Sequence, residues 1–509
     1  MSTYSKQREG FSTIELLFAF ALATLFLSGA ALIAFGSQTI GLDVSLTQAA
    51  IGRVSTQMGK ALASTSVQWH AVLPAQSGFY TEQNSASSVT PCLKEMESSS
   101  SWQSERGRGQ NIALQSYLGS VHEANAQGGG CDPFVPVDVW DNPNVLGSVS
   151  ISNASGTGIA VRSVNNHVYT FLTANSAILS DDDFIVVDST DAEDPSVVGT
   201  PLSNLVGLNG VAVGGSYAYV LNNENVGQLR VIDVSNPLAP QEEVSAMRTL
   251  PNIVSSCNPV GACLSGRSIA YFDGRLYIGT SYIAFGTSVQ NHELHVYCVG
   301  DGVTPGCTPK NPVWLGSYNV NRNVNDIAVR TELVGGVVKT LVYLALSGST
   351  NALAELKIYD ASLPSGMYEV GSFNPSGTLY GTSIALLGNR AYLGRERAAA
   401  SSKDFYVLDI SDPTHPTELY SRKLGIANST AVVGIAVQGS FAFVATSDST
   451  NPLFVFDVSD ATNPTMVGTC GLNSDKVIHD VVYHDNRIYS VNKNADVLTI
   501  IYDQPSSCI

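Results

Sequence analysis

The sequence predicts a mainly β protein, a seven-bladed β-propeller preceded by a long N-terminal α-helix and a small module. Three observations carry this prediction. A run of apolar and small residues without a charge lies between Glu15 and Asp43. A polar, serine-rich segment follows it, and from Asp138 onward one pattern of strands and turns recurs to the end of the chain.

Length, composition and charge restrict the class of protein. A chain of 509 residues is expected to form two or three domains. Only 14% of the residues are charged, which is low for an intracellular protein. The net charge of −17 argues against binding to nucleic acid or to an anionic lipid surface, because phosphates are bound by clustered cations.

The apolar run predicts a membrane-spanning helix. Residues 16–42 are long enough to cross a hydrocarbon core of ~30 Å at ~1.5 Å per residue. Lys6 and Arg8 precede the run, which predicts a cytoplasmic leader and an exported bulk. The better cleavage site lies before the run, at Gly10-Phe11, whereas a secretory signal is cleaved after its apolar core. The alternative is an ordinary signal anchor in which Glu15 reaches to the membrane interface.

A basic leader ending in Gly10, an aromatic Phe11 and Glu15 as the fifth residue after cleavage resemble a type IV pilin precursor with a class III signal. The resemblance implies cleavage after Gly10 by a prepilin peptidase and N-methylation of Phe11. It also implies that Glu15 pairs with the amino terminus of a neighbouring subunit in the filament. A carboxylate at the edge of hydrocarbon requires a cation, and cleavage creates one at Phe11.

Four segments follow from this reading: a leader peptide (residues 1–10), an N-terminal pilin helix (11–64, with 11–42 as transmembrane segment and filament core), a small disulfide-linked pilin-like module (65–136) and the propeller (137–509). Within the small module, the polar runs NSASSVT and ESSSSW predict loops. A second short helix is predicted over Asn111 to Ala124, because Leu114, Leu118 and Val121 share one helical face.

The repeats predict the propeller. Residues 210–244 and 434–468 each contain three apolar strands, a turn with Asp-Val-Ser and proline, and a short valine-containing strand. Seven copies recur at roughly 40 to 55 residues, the spacing of four-stranded propeller blades. The last copy lacks its fourth strand, and residues 137–151 resemble the missing piece. Blade 7 is therefore predicted to form from both ends of the chain, which removes exposed strand edges.

These repeats resemble the LVIVD family of propeller repeats, found in many surface and secreted bacterial proteins. The resemblance covers about residues 137–503. Blades 3 and 4 depart most from the pattern because they contain insertions. Ser281 to His295 and Cys298 to Cys307 in blade 3, and Thr331 to Lys339 in blade 4, are predicted contact surfaces.

The eight cysteines predict an oxidising compartment, because their number is even and none lies in the leader or in the apolar helix. No CxxC motif supports a zinc ribbon or a c-type haem. Near neighbours in the sequence suggest four disulfides: Cys92–Cys131, Cys257–Cys263, Cys298–Cys307 and Cys470–Cys508.

Aspartates recur where a strand of each repeat enters a turn. They are predicted to accept backbone N–H bonds as scaffold residues, and metal binding is the weaker alternative. They are Asp188, Asp233, Asp360, Asp409, Asp457 and Asp503. The charge run Asp181 to Asp183 is predicted to be a solvated loop, with a calcium loop as its alternative.

A reactive-looking group is predicted at the central opening of the propeller. The aligned inner-strand positions are mostly small and neutral, which singles out a set of five: Arg267, Asn325, Asp326, His479 and Asp480. Carboxylate and amide groups there suit a cation or sugar hydroxyls, and hydrogen-bonded rim residues are the alternative. No metal site or cofactor is expected, calcium being the one ion considered. Nucleophile-elbow, HExxH and phosphate-loop motifs are absent, so no enzymatic activity is expected.

The functional prediction is a minor, tip-located type IV pilin of a bacterium, whose extracellular propeller recognises a surface. A pseudopilin of a type II secretion system and a surface-tethered propeller enzyme are the alternatives. The implied partners are other pilin subunits, the prepilin peptidase, the inner membrane before assembly and an unknown surface ligand, either glycan or protein. The precursor is expected in the inner membrane, and the mature protein on the pilus at the cell surface.

Overall fold

The computed structural model describes residues 49–56, 81–90, 93–103, 109–119, 140–151, 154–175, 182–203, 205, 207–223, 226–251, 266–282, 292–335, 337–347, 353–377, 379–396, 403–424, 430–472, 477–493 and 496–503. The chain divides into two compact units, Met1–Ser120 and Val121–Ile509. Gly10, Phe11 and Glu15 lie outside the described residues, as does the apolar run. Within the described ranges, no helix is long and apolar enough to cross a membrane.

The first unit contains a short α-helix and a small antiparallel sheet. The helix, residues 49–56, falls inside the predicted helix 11–64, and its Ala50 and Val54 are buried one turn apart. The sheet has the order β1-β2-β3. Its strands are β1 (Thr81–Thr90), β2 (Leu93–Gln103) and β3 (Gly109–Gly119).

The small sheet corrects two predictions. The helix predicted over Asn111 to Ala124 is wrong as far as Gly119, because this part is β3 and pairs along its whole length with β2. A spacing of four, as between Leu114 and Leu118, is compatible with both the helical and the strand period, so the pattern could not decide. The runs predicted as loops lie in β1 and β2, where alternating residues of β2 are buried, including two serines that hydropathy does not mark as core.

The second unit is a seven-bladed β-propeller in which each blade has four antiparallel strands. The first strand in the chain, β4 (Pro143–Ser150), belongs to the last blade. Blades 1 and 2 contain β5 (Gly156–Val164), β6 (His167–Ala174), β7 (Asp182–Asp188), β8 (Ser196–Val197), an extra β9 (Leu202–Ser203) on β7, then β10 (Leu208–Gly214), β11 (Tyr217–Asn222), β12 (Leu229–Asp233) and β13 (Gln241–Glu242).

Blades 3 to 5 follow the same order of four strands. They contain β14 (Gly266–Phe272), β15 (Arg275–Thr280), β16 (Leu294–Cys298) and β17 (Val313–Tyr318), then β18 (Val324–Val334), β19 (Val337–Leu346), β20 (Leu356–Asp360) and β21 (Tyr368–Phe373), then β22 (Gly381–Leu387), β23 (Arg390–Arg395), β24 (Phe405–Asp409) and β25 (Thr417–Arg422). Two short 3₁₀ helices, Val244–Ala246 and Pro364–Gly366, precede blade 3 and β21.

Blades 6 and 7 complete the ring. They contain β26 (Val432–Gln438), β27 (Phe441–Thr446), β28 (Leu453–Asp457) and β29 (Thr465–Cys470), then β30 (Ile478–His484), β31 (Arg487–Asn492) and β32 (Asp496–Asp503), with β4 as the fourth strand. The seam between β4 and β32 was predicted from the repeat pattern and is confirmed.

Two hydrogen bonds and one aromatic contact stabilise the seam. The backbone N–H groups of Trp140 and Asn142 each donate to a carboxylate oxygen of Asp503 at 2.9 Å. The Trp140 ring is 1% exposed and meets the edge of Phe443 in blade 6 at 4.6 Å between centroids. Trp140 therefore ties the start of the propeller both to blade 7 and to blade 6.

The core lies between neighbouring blades, and its packing repeats around the ring. In blades 1 to 6 the second strand places a buried aromatic residue directly opposite an alanine of the first strand, as Tyr219 faces Ala212 and Tyr277 faces Ala270, whereas Tyr489 of blade 7 faces Val482. Ala160 faces Phe171 in the same way in blade 1. Small residues on the inner strands suit a wedge-shaped blade, because space narrows towards the axis.

The disulfide predictions have a partial outcome. Cys298 and Cys307, one of the four predicted pairs, form a disulfide with 5.9 Å between Cα atoms. Cys470 is buried at the end of β29, and its predicted partner Cys508 lies outside the described residues. The remaining four, Cys92, Cys131, Cys257 and Cys263, lie outside them as well. In blade 4, the predicted insertion Thr331 to Lys339 lengthens the hairpin of β18 and β19.

A candidate binding site at the channel mouth

A β-bulge interrupts the first strand of every blade at the same place. The pairing register with the second strand skips one residue each time, and a bulge redirects the side chain of the residue it leaves unpaired. We call these seven residues the bulge ring: Thr157, Asn209, Arg267, Asn325, Thr382, Val433 and His479. All of them line the two connected depressions of the central channel.

Four members of the bulge ring tie their blade to the next one. Thr157 Oγ1 donates to the carbonyl of Leu208 at 2.6 Å, and Asn209 Nδ2 donates to that of Gly266 at 2.6 Å. Asn325 bonds Gly381 and Thr382 bonds Val432 in the same way. These ties connect consecutive blades around the axis, which is a scaffold role.

Blade 3 departs from this rule. There Ser268, the residue after the bulge, donates to the carbonyl of Val324 at 3.1 Å and makes the tie instead. Arg267 therefore has no part in holding the ring together. Its guanidinium lies in the channel, reached by solvent but surrounded by protein, and has no hydrogen-bond or ion-pair partner among the described residues. Burial lowers the pKa of Arg267 from its ordinary value, yet an arginine remains charged.

The wider depression, which we call the channel mouth, has a volume of about 670 Å³. Three cations line it, Arg267, Arg322 and Lys493, against the single carboxylate of Glu396. The rest of its lining is mostly amide, hydroxyl and tyrosine side chains. This volume falls within the range of ~300–1,000 Å³ that is typical of small-ligand sites.

His479 stands between the mouth and the deeper channel. Burial, together with the positive charges of Lys493 and Arg267, lowers the pKa of His479 to about 4. The imidazole is therefore neutral at pH 7, and its buried Nδ1 has no hydrogen-bond partner in the described part of the chain.

Two aspartates lie deeper, around a second depression of about 100 Å³. Asp326 accepts the backbone N–H of Ile327 and that of Ile384 in the next blade, each at 2.8 Å. Asp480 accepts the N–H of Val481 at 2.8 Å. Burial raises the pKa of Asp326 to about 6. Burial, with the charge of Asp326, raises that of Asp480 to about 8.

The predicted group of five residues therefore comes together at one place, the inner end of the channel mouth. Its members divide by role. Asn325 and Asp326 each make a hydrogen bond to the neighbouring blade, whereas the side chains of Arg267 and His479 make no hydrogen bond within the described part of the chain. The prediction did not include Arg322, Lys493 and the tyrosines, which come from loops that the repeat alignment leaves out.

The raised pKa values give a testable pH dependence. A carboxyl group whose pKa is higher in the folded than in the unfolded state stabilises the fold at low pH, and this contribution is lost as the pH rises through the folded value. Asp480 should lower the free energy of unfolding by at most about 1.4 kcal/mol per pH unit between pH 5 and 7. The melting temperature of the variant Asp480→Asn should change less with pH over this range. Equal slopes for the two proteins would contradict the assignment.

The turn aspartates act as scaffold in the described structure. Asp233, Asp360 and Asp457 each accept the backbone N–H two residues ahead, at 2.9 Å. Asp188 and Asp409 do the same at 3.0 and 2.8 Å. Asp503, the last residue of β32, instead accepts the backbone N–H of Asn142 across the seam. The bond that is local in five blades is thus long-range in blade 7.

The charge run in blade 1 requires a correction. Asp183 was predicted to be solvated with its neighbours, but it is 1% exposed and accepts the backbone N–H of Leu205 at 2.8 Å. Asp182 is half-buried at the start of β7, and Asp181 lies outside the described residues. Equivalent buried side chains precede the third strand of other blades: Gln228, Glu293, Glu355 and Asp404. The signal in the sequence is an acid or amide at the start of the third strand or just before it in blades 1 to 5, whereas blade 6 has Pro452 at this place.

One further cluster of potential metal ligands exists among the described residues, Cys298, Asp301 and Cys307. The two sulfurs are bonded to each other. Asp301 accepts backbone N–H groups of Val303 and Thr304 and pairs with Arg275. The disulfide and the contacts of Asp301 therefore stabilise this loop, and all three side chains already have partners.

Comparison with known proteins agrees with the architecture. Residues 209–247, 380–422 and 431–471 match the LVIVD repeat, which places the matches in blades 2, 5 and 6. The chain is thus a seven-bladed β-propeller that contains LVIVD repeats. No curated protein matches the chain in sequence.

Several solved structures are similar to the chain at low identity. The computationally designed Ika8 protein has 13% identity, covers 70% of this chain and 99% of its own, and has a TM-score of 0.41. A quinonprotein alcohol dehydrogenase-like protein from Bacteroides thetaiotaomicron has 12% identity, coverage of 75% and 82%, and a TM-score of 0.38. YCF48 bound to D1 peptide has 9% identity, coverage of 73% and 99%, and a TM-score of 0.42.

Proposed function

We propose that this protein is a minor type IV pilin whose extracellular propeller recognises a ligand on another surface. The observation that carries the recognition role is the channel mouth, where charged, amide and aromatic side chains converge on one depression of a rigid ring. The interblade hydrogen bonds and the closed seam fix the strands that carry the site without a ligand. Such preorganisation favours binding, because little ordering remains to be done.

The pilin role is supported by the N-terminal sequence. Gly10-Phe11 and Glu15 supply a cleavage site and an assembly carboxylate, and the apolar run between Glu15 and Asp43 supplies the filament core. A module of about 370 residues attached to every subunit would hinder the packing of a thin filament. A minor subunit at the tip avoids this obstacle and presents the propeller outwards.

Processing is the first test of the proposal. In cells that contain a prepilin peptidase, the mature protein should lose residues 1–10 and carry a methylated Phe11. Gly10→Val should retain the leader, because a branched side chain replaces the glycine at the cleaved bond. Intact mass spectrometry of both proteins measures the difference. An identical mature mass for the two proteins would contradict the pilin role.

The matched control is Glu15→Ala. This variant should be cleaved normally but should fail to enter filaments, because the charge that pairs with the new amino terminus is missing. Immunogold labelling of the propeller on sheared filaments locates the assembled protein. Label at the filament ends supports the tip position, and label evenly along the shaft contradicts it. Absence from filaments, with a defect in protein secretion, would instead indicate a pseudopilin.

A further inference from the structure

The channel mouth contrasts with the rest of the propeller in its charge. The chain as a whole has a net charge of −17. Many cations of the propeller have a carboxylate partner, for example Arg230 with Glu242, Arg275 with Asp301 and Lys339 with Asp360. Arg267, Arg322 and Lys493 have no such partner among the described residues, although all three line one depression.

This arrangement is costly for the protein without a ligand. Arg322 is half-buried, and its Nε is enclosed without a hydrogen-bond partner in the described structure. Burial lowers the pKa of Arg322, as it does that of Arg267. A partly desolvated cation without a counter-ion is unfavourable. An anion that entered the mouth would find unpaired charges and donors already in place.

Arg267 is the member of this set that the scaffold does not require. At the same bulge, other blades have threonine, asparagine, valine or histidine, and the tie to the next blade is made by Ser268. The guanidinium is a planar fork of donors that matches a carboxylate with two parallel hydrogen bonds. His479, on the inner strand of blade 7, lines the same depression as Arg267 and Lys493 and adds an uncharged imidazole beside these two cations.

The remaining lining suits a sugar ring. Tyr282 and Tyr380 are 41% and 40% exposed at the mouth, so their aromatic faces are accessible. The amide of Asn323 is held by the backbone N–H of Tyr282, which donates to its Oδ1 at 2.7 Å. A pyranose has an apolar face of C–H groups and an edge of hydroxyls. Tyrosine rings can pack against the C–H face, and amides can form hydrogen bonds with the hydroxyls.

We propose that the channel mouth binds a carboxylated saccharide, with its carboxylate at Arg267 and its ring among the tyrosine and asparagine side chains. This inference rests on the proposed recognition function and specifies the class of ligand. Binding is expected to weaken as ionic strength rises, because the main contact is a charge pair that salt screens. A neutral saccharide of the same size should bind at least tenfold more weakly.

The test is calorimetric titration of the purified full-length protein with two saccharide pairs, trigalacturonate with its methyl ester and sialyllactose with lactose, and with a glutamate oligopeptide. Each pair differs by a carboxylate charge or by an acidic sugar. Arg267→Gln and Lys493→Gln should each weaken binding of the acid at least fivefold without lowering the melting temperature. Lys423→Gln removes one exposed cation outside the mouth and should bind as the unaltered protein does.

Four outcomes decide the inference. Selective binding of an acidic saccharide that depends on Arg267 supports it. Equal affinity for acid and neutral forms, or no binding of either acid, overturns it. Preference for a glutamate oligopeptide over both acids would replace the saccharide with an acidic polypeptide. Because titration uses purified protein, its result is independent of leader cleavage and of pilus assembly, so failure here leaves the pilin tests standing.

Discussion

Replacement of Arg395 by methionine is expected to lower the free energy of unfolding by about 3–5 kcal/mol. Arg395 and Glu355 are each 1% exposed and form two parallel hydrogen bonds of 2.6 Å, Nε to Oε2 and Nη2 to Oε1. Nη1 also donates to the Tyr406 hydroxyl at 3.1 Å. Arg395→Met leaves Glu355 without its counter-ion. Burial raises the pKa of Glu355 even beside the arginine, so the lone carboxylate should take up a proton.

Two controls separate the lost ion pair from lost packing. The double variant Glu355→Leu, Arg395→Met removes both charges and should recover most of the lost stability. Lys357→Met removes the partner of Glu369 on the more exposed surface of blade 4, the blade that contains Glu355. This change should lower the free energy of unfolding by less than about 1 kcal/mol. Urea unfolding followed by tyrosine and tryptophan fluorescence measures all three. A single variant within 1 kcal/mol of the unaltered protein would refute the argument.

Replacement of Trp140 by alanine is expected to cost about 3–5 kcal/mol and to loosen the seam first. The Trp140 ring is buried against Phe443 of blade 6, and its backbone N–H bonds the Asp503 carboxylate of blade 7. The truncation leaves a cavity at the joint of the ring. Because β4 is the only strand that arrives from the other end of the chain, its release opens the edge of β32 without unfolding the other six blades.

Limited proteolysis distinguishes local opening from global loss of stability. Trp140→Ala should be cut first near β4, and the remaining blades should persist for longer. Trp314→Ala in blade 3 is the matched control, because this tryptophan is 45% exposed on β17 and its removal should cost little. Equal resistance of the two variants would mean that Trp140 does not secure the seam.

The propeller could be predicted from the sequence because its signal is repeated. Seven copies of one strand pattern average out local ambiguity, and the missing fourth strand of the last copy was matched by residues 137–151. The turn aspartates were assigned correctly for a related reason. A bond from an aspartate to the N–H two residues ahead is local, so its spacing is visible in the sequence.

The small sheet and the buried acids could not be predicted in the same way. The small sheet occurs once, and the buried position before the third strand varies in residue type between aspartate, glutamine and glutamate, so polarity was misleading in both cases. Serines of β2 are buried because pairing satisfies the backbone and serine is small, and Asp183 is buried because one backbone N–H receives its carboxylate. Burial of a polar group depends on its partner, which hydropathy does not record.

The sequence alone determined the number of blades and the seam formed by the segment 137–151. It also placed Asp326 and Asp480 at aligned inner-strand positions, with Arg267 and Asn325 nearby. Only the tertiary structure decided which of them have side chains left without a partner, among the described residues, in the channel. The same bulge directs Asn325 to the next blade and Arg267 into the channel, and the difference lies in Ser268, which makes the interblade bond in place of the arginine. A side chain is available for binding when a neighbour satisfies the scaffold, and only the folded arrangement shows which neighbour does so.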